Sequence, residues 1–340
     1  MKSVRVAING LGRIGRAFLK LAIQRPELKI VAINDLGPLE NLAYLLRYDS
    51  AYGRSGLDIK TADGTLTVNS QPIKFLQEVD PNKLPWANLG VDVVVEATGF
   101  FTTYEKARAH LTAGAHKVVV TAPLKGEPTP GVVGGTVLMG INEEKLASCQ
   151  ISSNASCTTN SVSPIIKIML DSIGIEKAIL NTVHAYTASQ RLVDSPDAKD
   201  FRRGRAGAHN IIPSTTGAAL AVTKAIPELE NKFDGIALRV PVVVGSIADL
   251  TFVAKRITTV EEVNALLRRA ASEPRWQGVF SITEEPLVSS DIVGSPYAAI
   301  ADLALTKVVD GNLVKIMSWY DNELGYTNTL VQHVIKTGQV

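Results

Sequence analysis

A strand, a glycine-rich turn and a helix open this chain, and no other stretch narrows its fold as much. Val4-Arg5-Val6-Ala7-Ile8 reads as a buried strand. Asn9-Gly10-Leu11-Gly12-Arg13-Ile14-Gly15-Arg16 follows, then a helical pattern through Phe18, Leu19 and Ala22. This is G-x-G-x-x-G between a strand and a helix. Gly10 serves the tight turn, Gly12 the approach of a pyrophosphate, and Gly15 the contact of helix with strand, while the helix N-terminus supplies N–H donors. The glycine pattern alone is a weak signal. The next strand, Ile30-Val31-Ala32-Ile33-Asn34, strengthens it by ending at Asp35. A carboxylate there accepts hydrogen bonds from a ribose 2′-hydroxyl and repels a 2′-phosphate, which favours NAD over NADP. The competing reading is that Asp35 caps a turn.

More parallel strands are expected in the first half. Val91 to Gly99 and Lys117 to Pro123 are valine-rich runs of the kind covered on both faces. The helical segment Tyr104 to Leu111 lies between them and ends at Gly114. Ligands on such sheets sit beyond the carboxyl ends of strands, so Thr98 and Thr121 point toward a cofactor crevice; plain turn threonines are the alternative. Residues 57–75 read as a small antiparallel insertion with Asp63-Gly64 as its turn.

The second half has another rhythm. Ala178 to Thr187, Arg239 to Val244 and Ala248 to Ala254 read as strands. Asp310-Gly311 joins Ala304–Val309 to Leu313–Trp319 as a hairpin, and Thr258-Thr259-Val260-Glu261 is a capping box opening a helix. The expected fold is an α/β Rossmann-type dinucleotide-binding domain at 1–153 plus an α+β catalytic domain with a mainly antiparallel sheet at 154–321. A C-terminal helix within 322–340 is expected to pack back onto the first domain.

Composition excludes several classes. The chain has 340 residues, too many for one ordinary core, and a net charge of +2, which gives no strong field toward nucleic acid or membrane. No apolar run reaches bilayer-spanning length. The start, Met1-Lys2-Ser3-Val4-Arg5, runs into a strand and is read as leaving no room for a signal peptide. The two cysteines, Cys149 and Cys157, fit neither a C-x-x-C pair nor a zinc site. A cytoplasmic location is expected, and no metal.

Ser153-Asn154-Ala155-Ser156-Cys157-Thr158-Thr159-Asn160 carries the chemistry. The apolar helical stretch after it places Cys157 at or just before a helix N-terminus, where free N–H groups and the dipole favour the thiolate. A buried structural cysteine is the plainer reading, but the polar neighbours argue against it. His184 is the natural base for that thiol, although a lone strand histidine is more often a satisfied core residue. Arg202, Arg203 and Arg205 cluster before the hydroxyl-rich turn Pro213-Ser214-Thr215-Thr216-Gly217, and Arg239 lies in an apolar strand where an unpaired charge is costly. Together they suit two phosphate-like anions; a solvated or subunit-facing loop is the alternative for Arg202 and Arg205.

With these blocks in order along nearly the whole chain, the sequence resembles the phosphorylating glyceraldehyde-3-phosphate dehydrogenase family. The Ser-Asn-Ala-Ser-Cys-Thr-Thr-Asn block is the most specific; Leu45 to Ser50, His184-Ala185-Tyr186-Thr187, Asn210 to Ala219, Arg239-Val240-Pro241 and Trp319 to Glu323 also match. The resemblance implies Cys157 as nucleophile and His184 as its base. It implies Ser156, Thr158, Arg203, Thr216 and Gly217 around inorganic phosphate and nearby substrate, and Thr187 with Arg239 around the substrate's C3 phosphate. Arg13, Ile14, Asp35 and Thr121 match cofactor contacts, and Asn322 matches the residue that orients the nicotinamide carboxamide. A cysteine hemithioacetal, then a thioester cleaved by phosphate to 1,3-bisphosphoglycerate, is the implied route. The resemblance also implies a homotetramer, with a loop at about 185–208 near the neighbouring subunit's cofactor.

Some positions depart from the family. Val79 stands where many members carry arginine, Ser189 where some carry aspartate, and Leu324 where an aromatic is frequent. Ser195-Pro196 is a mixed form of a pair that separates NAD-only from dual-specific members, so NADP use stays open. The rivals are an erythrose-4-phosphate dehydrogenase, whose relatives usually lack the His-Ala-Tyr-Thr form, and an aspartate-semialdehyde type, disfavoured by the Thr215-Thr216-Gly217 turn. A non-enzymatic redox-sensing, nucleotide-binding scaffold is the third.

Overall fold

The computed structural model describes residues 3–198 and 200–340. Met1 and Lys2, on which the reading of the N-terminus partly rests, and Lys199, within the 185–208 loop, lie outside the described residues. The chain divides into two units. One holds the chain up to Leu138, Asn142–Ala155 and Leu330–Val340; the other holds Met139–Ile141 and Ser156–Thr329.

The first unit is built on a nine-stranded sheet. From one edge its strands are Gly134–Thr136, Ile151–Ser153, Lys117–Val120, Val93–Glu96, Val4–Asn9, Leu28–Asn34, Gln71–Leu76, Thr65–Val68 and Ile59–Ala62. All pairings are parallel until the last three strands, which form the antiparallel insertion turning at Asp63-Gly64. Every residue of Val93–Glu96 is buried, because the sheet is covered on both faces. Trp86, Val91 and Ala115 pack with Ala7 and Val94, while Tyr104 and Ala107 pack with Val118, Val120 and Ile151. The described strands stop at Glu96 and Val120, short of Gly99 and Pro123, where the chain turns outward.

The second unit is a seven-stranded sheet in the order Ile212–Thr215, Phe233–Val240, Ile175–Ala185, Ser246–Ala254, Leu313–Tyr320, Ala299–Val309, Phe280–Thr283. Four pairings are antiparallel; Ile175–Ala185 with Phe233–Val240 and Phe280–Thr283 with Ala299–Val309 are parallel. Helices Cys157–Ser172, Ala218–Ala225 and Val260–Ala271 pack on the sheet, and Ser246–Ala254 alternates buried with half-buried residues accordingly. Two local expectations shift. The strand through Arg239 ends at Val240 rather than Val244, since Pro241 has no N–H to continue the ladder. The Val260 helix is capped one residue later than read: Thr259 accepts from the Glu262 N–H, while Thr258 donates to the Glu262 carboxylate.

The last helix, Leu324–Gln339, begins in the second unit, and from Leu330 its residues cluster with the first. His333 is fully buried, with Nε2 2.8 Å from Ser152 Oγ and Nδ1 3.1 Å from Asn154 Oδ1. Burial pushes its imidazole down to about 3 from an ordinary 6.5. Between those values only the unfolded chain takes the proton, so acid removes stability as pH falls through the unfolded pKa. His184, pushed to about 3 by burial and then by Arg239, acts with the same sign. Each should cost on the order of 2 kcal/mol between about pH 7 and about pH 5. Urea midpoints should fall steeply over that range, and His333→Gln should flatten the slope by roughly half. Midpoints that do not move on acidification contradict this account.

Candidate active site

The first site lies at the carboxyl ends of the parallel strands. Gly10 takes φ 97°, and a side chain there would press on the Ala97–Thr98 peptide at 2.8 Å. A Cβ on Gly15 would collide with the Gly10 carbonyl. Gly12 is different: a Cβ there would stand in open space. It is the N-cap of Arg13–Ala22, and no side-chain hydrogen bond caps that helix end. Asp35 Oδ2 accepts from the Leu11 N–H at 2.6 Å and Oδ1 from the Gly37 N–H at 2.8 Å. It therefore does cap a turn, and it also faces the cleft, each oxygen keeping a second lone pair. These features fit a dinucleotide.

The cleft has a volume of about 510 Å³ and lies between Asn9, Gly10, Gly12, Asn34, Asp35 and Thr98 on one side of the sheet end, with Leu36, Glu78, Val79, Pro81, Phe100 and Phe101 completing it. Arg13, Ile14, Gly15 and Thr121 do not line it. Arg13 instead reaches Asp49 at 3.1 Å and stacks on the Tyr52 ring. The Thr121 N–H bonds the Glu96 carbonyl. Sequence reasoning missed Glu78, Phe100 and Phe101; the Phe-Phe pair directly after Gly99 was the available signal.

The second site gathers around the helix Cys157–Ser172. The backbone enters it through Ala155 in the left-handed region, φ 55°, a conformation an alanine holds only under tertiary constraint. Ser156 is the N-cap, accepting from the Thr159 N–H at 3.1 Å, and Cys157 is the first helical residue. Cys157 Sγ lies 3.3 Å from His184 Nε2. His184 sits at the end of Ile175–Ala185, and the parallel register places Arg239 directly beside it. Arg239 Nη1 is 2.8 Å from His184 Nδ1 and donates to the Ala185 carbonyl at 3.1 Å; that carbonyl lies 2.6 Å from Nδ1. The guanidinium only donates and the carbonyl only accepts, so Nδ1 can bond one of them and not both. The tautomer with Nδ1–H on the carbonyl, and Arg239 bonded to that carbonyl instead of the ring, is the one that leaves the Nε2 lone pair toward the thiol as a general base needs.

The expectation that the helix end favours the thiolate meets a stronger opposing effect here. Burial pushes the Cys157 thiol up, outweighing the Arg239 charge and the Thr158 hydrogen bonds that pull it down. Burial, then Arg239, pushes His184 down to about 3. Both shifts favour the neutral thiol and imidazole over the ion pair. Tyr320, fully buried, bridges Thr158 Oγ1 at 3.0 Å and Thr182 Oγ1 at 2.7 Å and meets the His184 ring edge-on. Tyr320 was not singled out as a site residue.

Anion-binding capacity is left over. Arg239 Nε, Arg203 Nε and Gln190 Nε2 are buried donors with no partner. Arg203 is close enough for its charge to act on Arg239. Two half-buried cations whose buried Nε donors are idle are costly unless an anion completes them. Gln190 was also missed; its Oε1 takes the Thr187 N–H at 2.9 Å and so aims the amide nitrogen elsewhere. Thr187 is exposed, and Ser189 Oγ lies 2.9 Å from its hydroxyl. Thr216 and Gly217 follow the strand Ile212–Thr215, which pairs antiparallel beside Arg239; Gly217 caps Ala218–Ala225 with open space around it. Asn322 Oδ1 accepts from the Gly245 N–H at 3.1 Å and Ser246 Oγ at 3.0 Å, which fixes the direction of its amide nitrogen. Arg202 and Arg205 point to solvent and pair with Asp200 and Asp194.

Residues 4–104 match the family model described as glyceraldehyde 3-phosphate dehydrogenase, NAD binding domain, and residues 156–322 match its C-terminal domain. The chain is 48% identical to the glyceraldehyde-3-phosphate dehydrogenase of Clostridium pasteurianum over 96% of both chains. It is 45% identical to that of Streptomyces coelicolor over 99% of both. With that of Geobacillus stearothermophilus it shares 45% identity over 97% of this chain and 96% of the relative.

Proposed function

Because the chain belongs to the glyceraldehyde-3-phosphate dehydrogenase family, we propose that it oxidises D-glyceraldehyde 3-phosphate with NAD and inorganic phosphate to 1,3-bisphosphoglycerate. The observation that carries this is the Cys157 sulfur 3.3 Å from the Nε2 of an imidazole whose Nδ1 lies 2.6 Å from the Ala185 carbonyl, which Arg239 also bonds.

Gly10, Gly12, Asp35 and Thr98 would hold NAD, which would supply the hydride acceptor, and the resemblance gives Asn322 the role of orienting its carboxamide. His184 Nε2 takes the thiol proton, Cys157 Sγ adds to the aldehyde carbon, and the imidazolium returns that proton to the oxygen, giving a hemithioacetal and a neutral base. His184 then removes the hydroxyl proton as hydride leaves that carbon, and a thioester remains. The N–H groups of the helix N-terminus stabilise the oxyanion. Phosphate, held by Ser156, Thr158, Arg203, Thr216 and Gly217, attacks the thioester, and the sulfur leaves as thiolate. Arg239 and Thr187 hold the C3 phosphate. Arg239 has a second effect: an anion on it cancels the charge that holds His184 down, so bound substrate makes the base a better proton acceptor.

The chain works as a homotetramer in the cytoplasm. Ile179 and Ile236 are exposed on neighbouring strands of the second sheet, and Leu192, Val193 and Phe201 are exposed on the loop after His184, all surfaces a second copy would cover. Both cysteines are free. Among the described residues no helix is long and apolar enough to cross a membrane.

Phosphate dependence tests the chemistry. Without phosphate or arsenate, NADH should appear as a burst of about one equivalent per chain, because the thioester accumulates. Either anion should convert the burst to steady turnover. A steady rate indifferent to both refutes the phosphorylating route.

A further inference from the structure

Beneath the dinucleotide cleft lies a polar relay that none of the chemistry above uses. Glu96, at the end of its strand, has a fully buried carboxylate. Oε2 accepts from Asn9 Nδ2 at 2.6 Å and lies 3.0 Å from His110 Nε2. Oε1 accepts from the Thr98 N–H at 2.9 Å and from the Thr98 hydroxyl. The indole N–H of Trp86, which can only donate, reaches His110 Nδ1 at 3.1 Å. Nδ1 is therefore the bare nitrogen, and Nε2 carries the hydrogen that Glu96 accepts. Asn9 Nδ2, 3.5 Å from Nε2, then faces another donor and commits its hydrogen to the carboxylate. All four donors converge on one carboxyl group.

The partners of this group are the walls of the cleft. Asn9 passes the order on: its Oδ1 accepts from Asn34 Nδ2 at 2.8 Å, and Asn34 exchanges hydrogen bonds of 2.8 and 2.9 Å with the backbone of Glu78. Thr98 accepts from the Phe100 N–H at 3.1 Å, and the Phe101 ring meets His110 edge-on at 5.9 Å. We infer that Glu96, with its Trp86-set His110, is a positioning residue for the cofactor: it pins three separate stretches of cleft wall through one buried acceptor. The inference rests on the NAD reading of this cleft. It also explains why a charged side chain is tolerated at a position covered on both faces, since the carboxylate is fully supplied with donors.

Glu96→Gln keeps the shape but replaces one oxygen with an NH2 group. Whichever way that amide turns, a donor faces Thr98 or faces Asn9 and His110. NAD binding by calorimetry should weaken at least tenfold, and KM for NAD should rise in parallel while kcat at saturating NAD and KM for the aldehyde hold. Trp86→Phe, outside the cleft, keeps the ring and frees the His110 tautomer; NAD affinity should fall a few-fold. A structural role alone would lower the melting temperature and leave NAD affinity of the folded protein within twofold, and that result in both variants overturns the inference. If Glu96→Gln fails to fold, Trp86→Phe decides. A parent protein that binds no NAD at all would instead sink the functional reading.

Discussion

Cys157→Ala should bind NAD as the parent does and turn over aldehyde at least ~10⁴-fold more slowly. The second cysteine, Cys149, is buried in the first unit, and burial holds its thiol up, so it offers no substitute. Alanine leaves His184 with nothing to deprotonate and the aldehyde carbon with nothing to bond. Cys157→Ser is the stricter variant, because an oxygen beside the same imidazole keeps the geometry and loses only the nucleophilicity of sulfur. It should retain a trace above the alanine form. Mass spectrometry of the parent, given aldehyde and NAD without phosphate, should find the acyl mass on the Cys157 peptide. Turnover within tenfold of the parent in Cys157→Ala removes covalent catalysis from the account.

Arg239→Ala should lower kcat/KM by about a thousandfold, the size expected for a half-buried guanidinium fork on a substrate phosphate plus the loss of its contact with the base. The residue has three engagements at once. It touches His184 Nδ1, donates to the Ala185 carbonyl, and keeps an idle, buried Nε for an anion. Arg239→Lys keeps a point charge but not the fork, so it should recover only a small part of the loss. The thiol gives an independent readout. The Arg239 charge pulls the Cys157 pKa down against burial, so its removal should move the pH profile of iodoacetamide alkylation to higher pH. A profile that stays in place or moves to lower pH contradicts the electrostatic part, and an unchanged kcat/KM contradicts the binding part.

Much of this site was legible before any coordinates. Gly10, Gly12 and Gly15 announce their roles because each acts within one turn of chain: a positive φ, open space, a contact with the Gly10 carbonyl. Cys157 is readable at a helix start for the same reason, since Ser156 caps the helix from the adjacent position. Thr121 and Arg13 were harder. Neither lines the cleft: Arg13 reaches Asp49, and Thr121 bonds the Glu96 carbonyl through its backbone N–H. Gln190, Tyr320, Glu96 and His110 carried no local signal. Their importance lies in partners distant along the chain, such as Tyr320 beside Thr158 and Thr182.

The amino-acid order by itself determined the alternation of strand and helix, the dinucleotide turn, and the family blocks that place a nucleophile on a helix end. Those signals are written in periodicity and backbone preference over a few residues. Only the tertiary structure decided that His184 faces Cys157, that Arg239 lies beside His184 in register, and that burial pushes the thiol up. Register between strands is settled by packing of the whole sheet, and ionisation by the burial that packing creates, so neither can be read from a local stretch of chain.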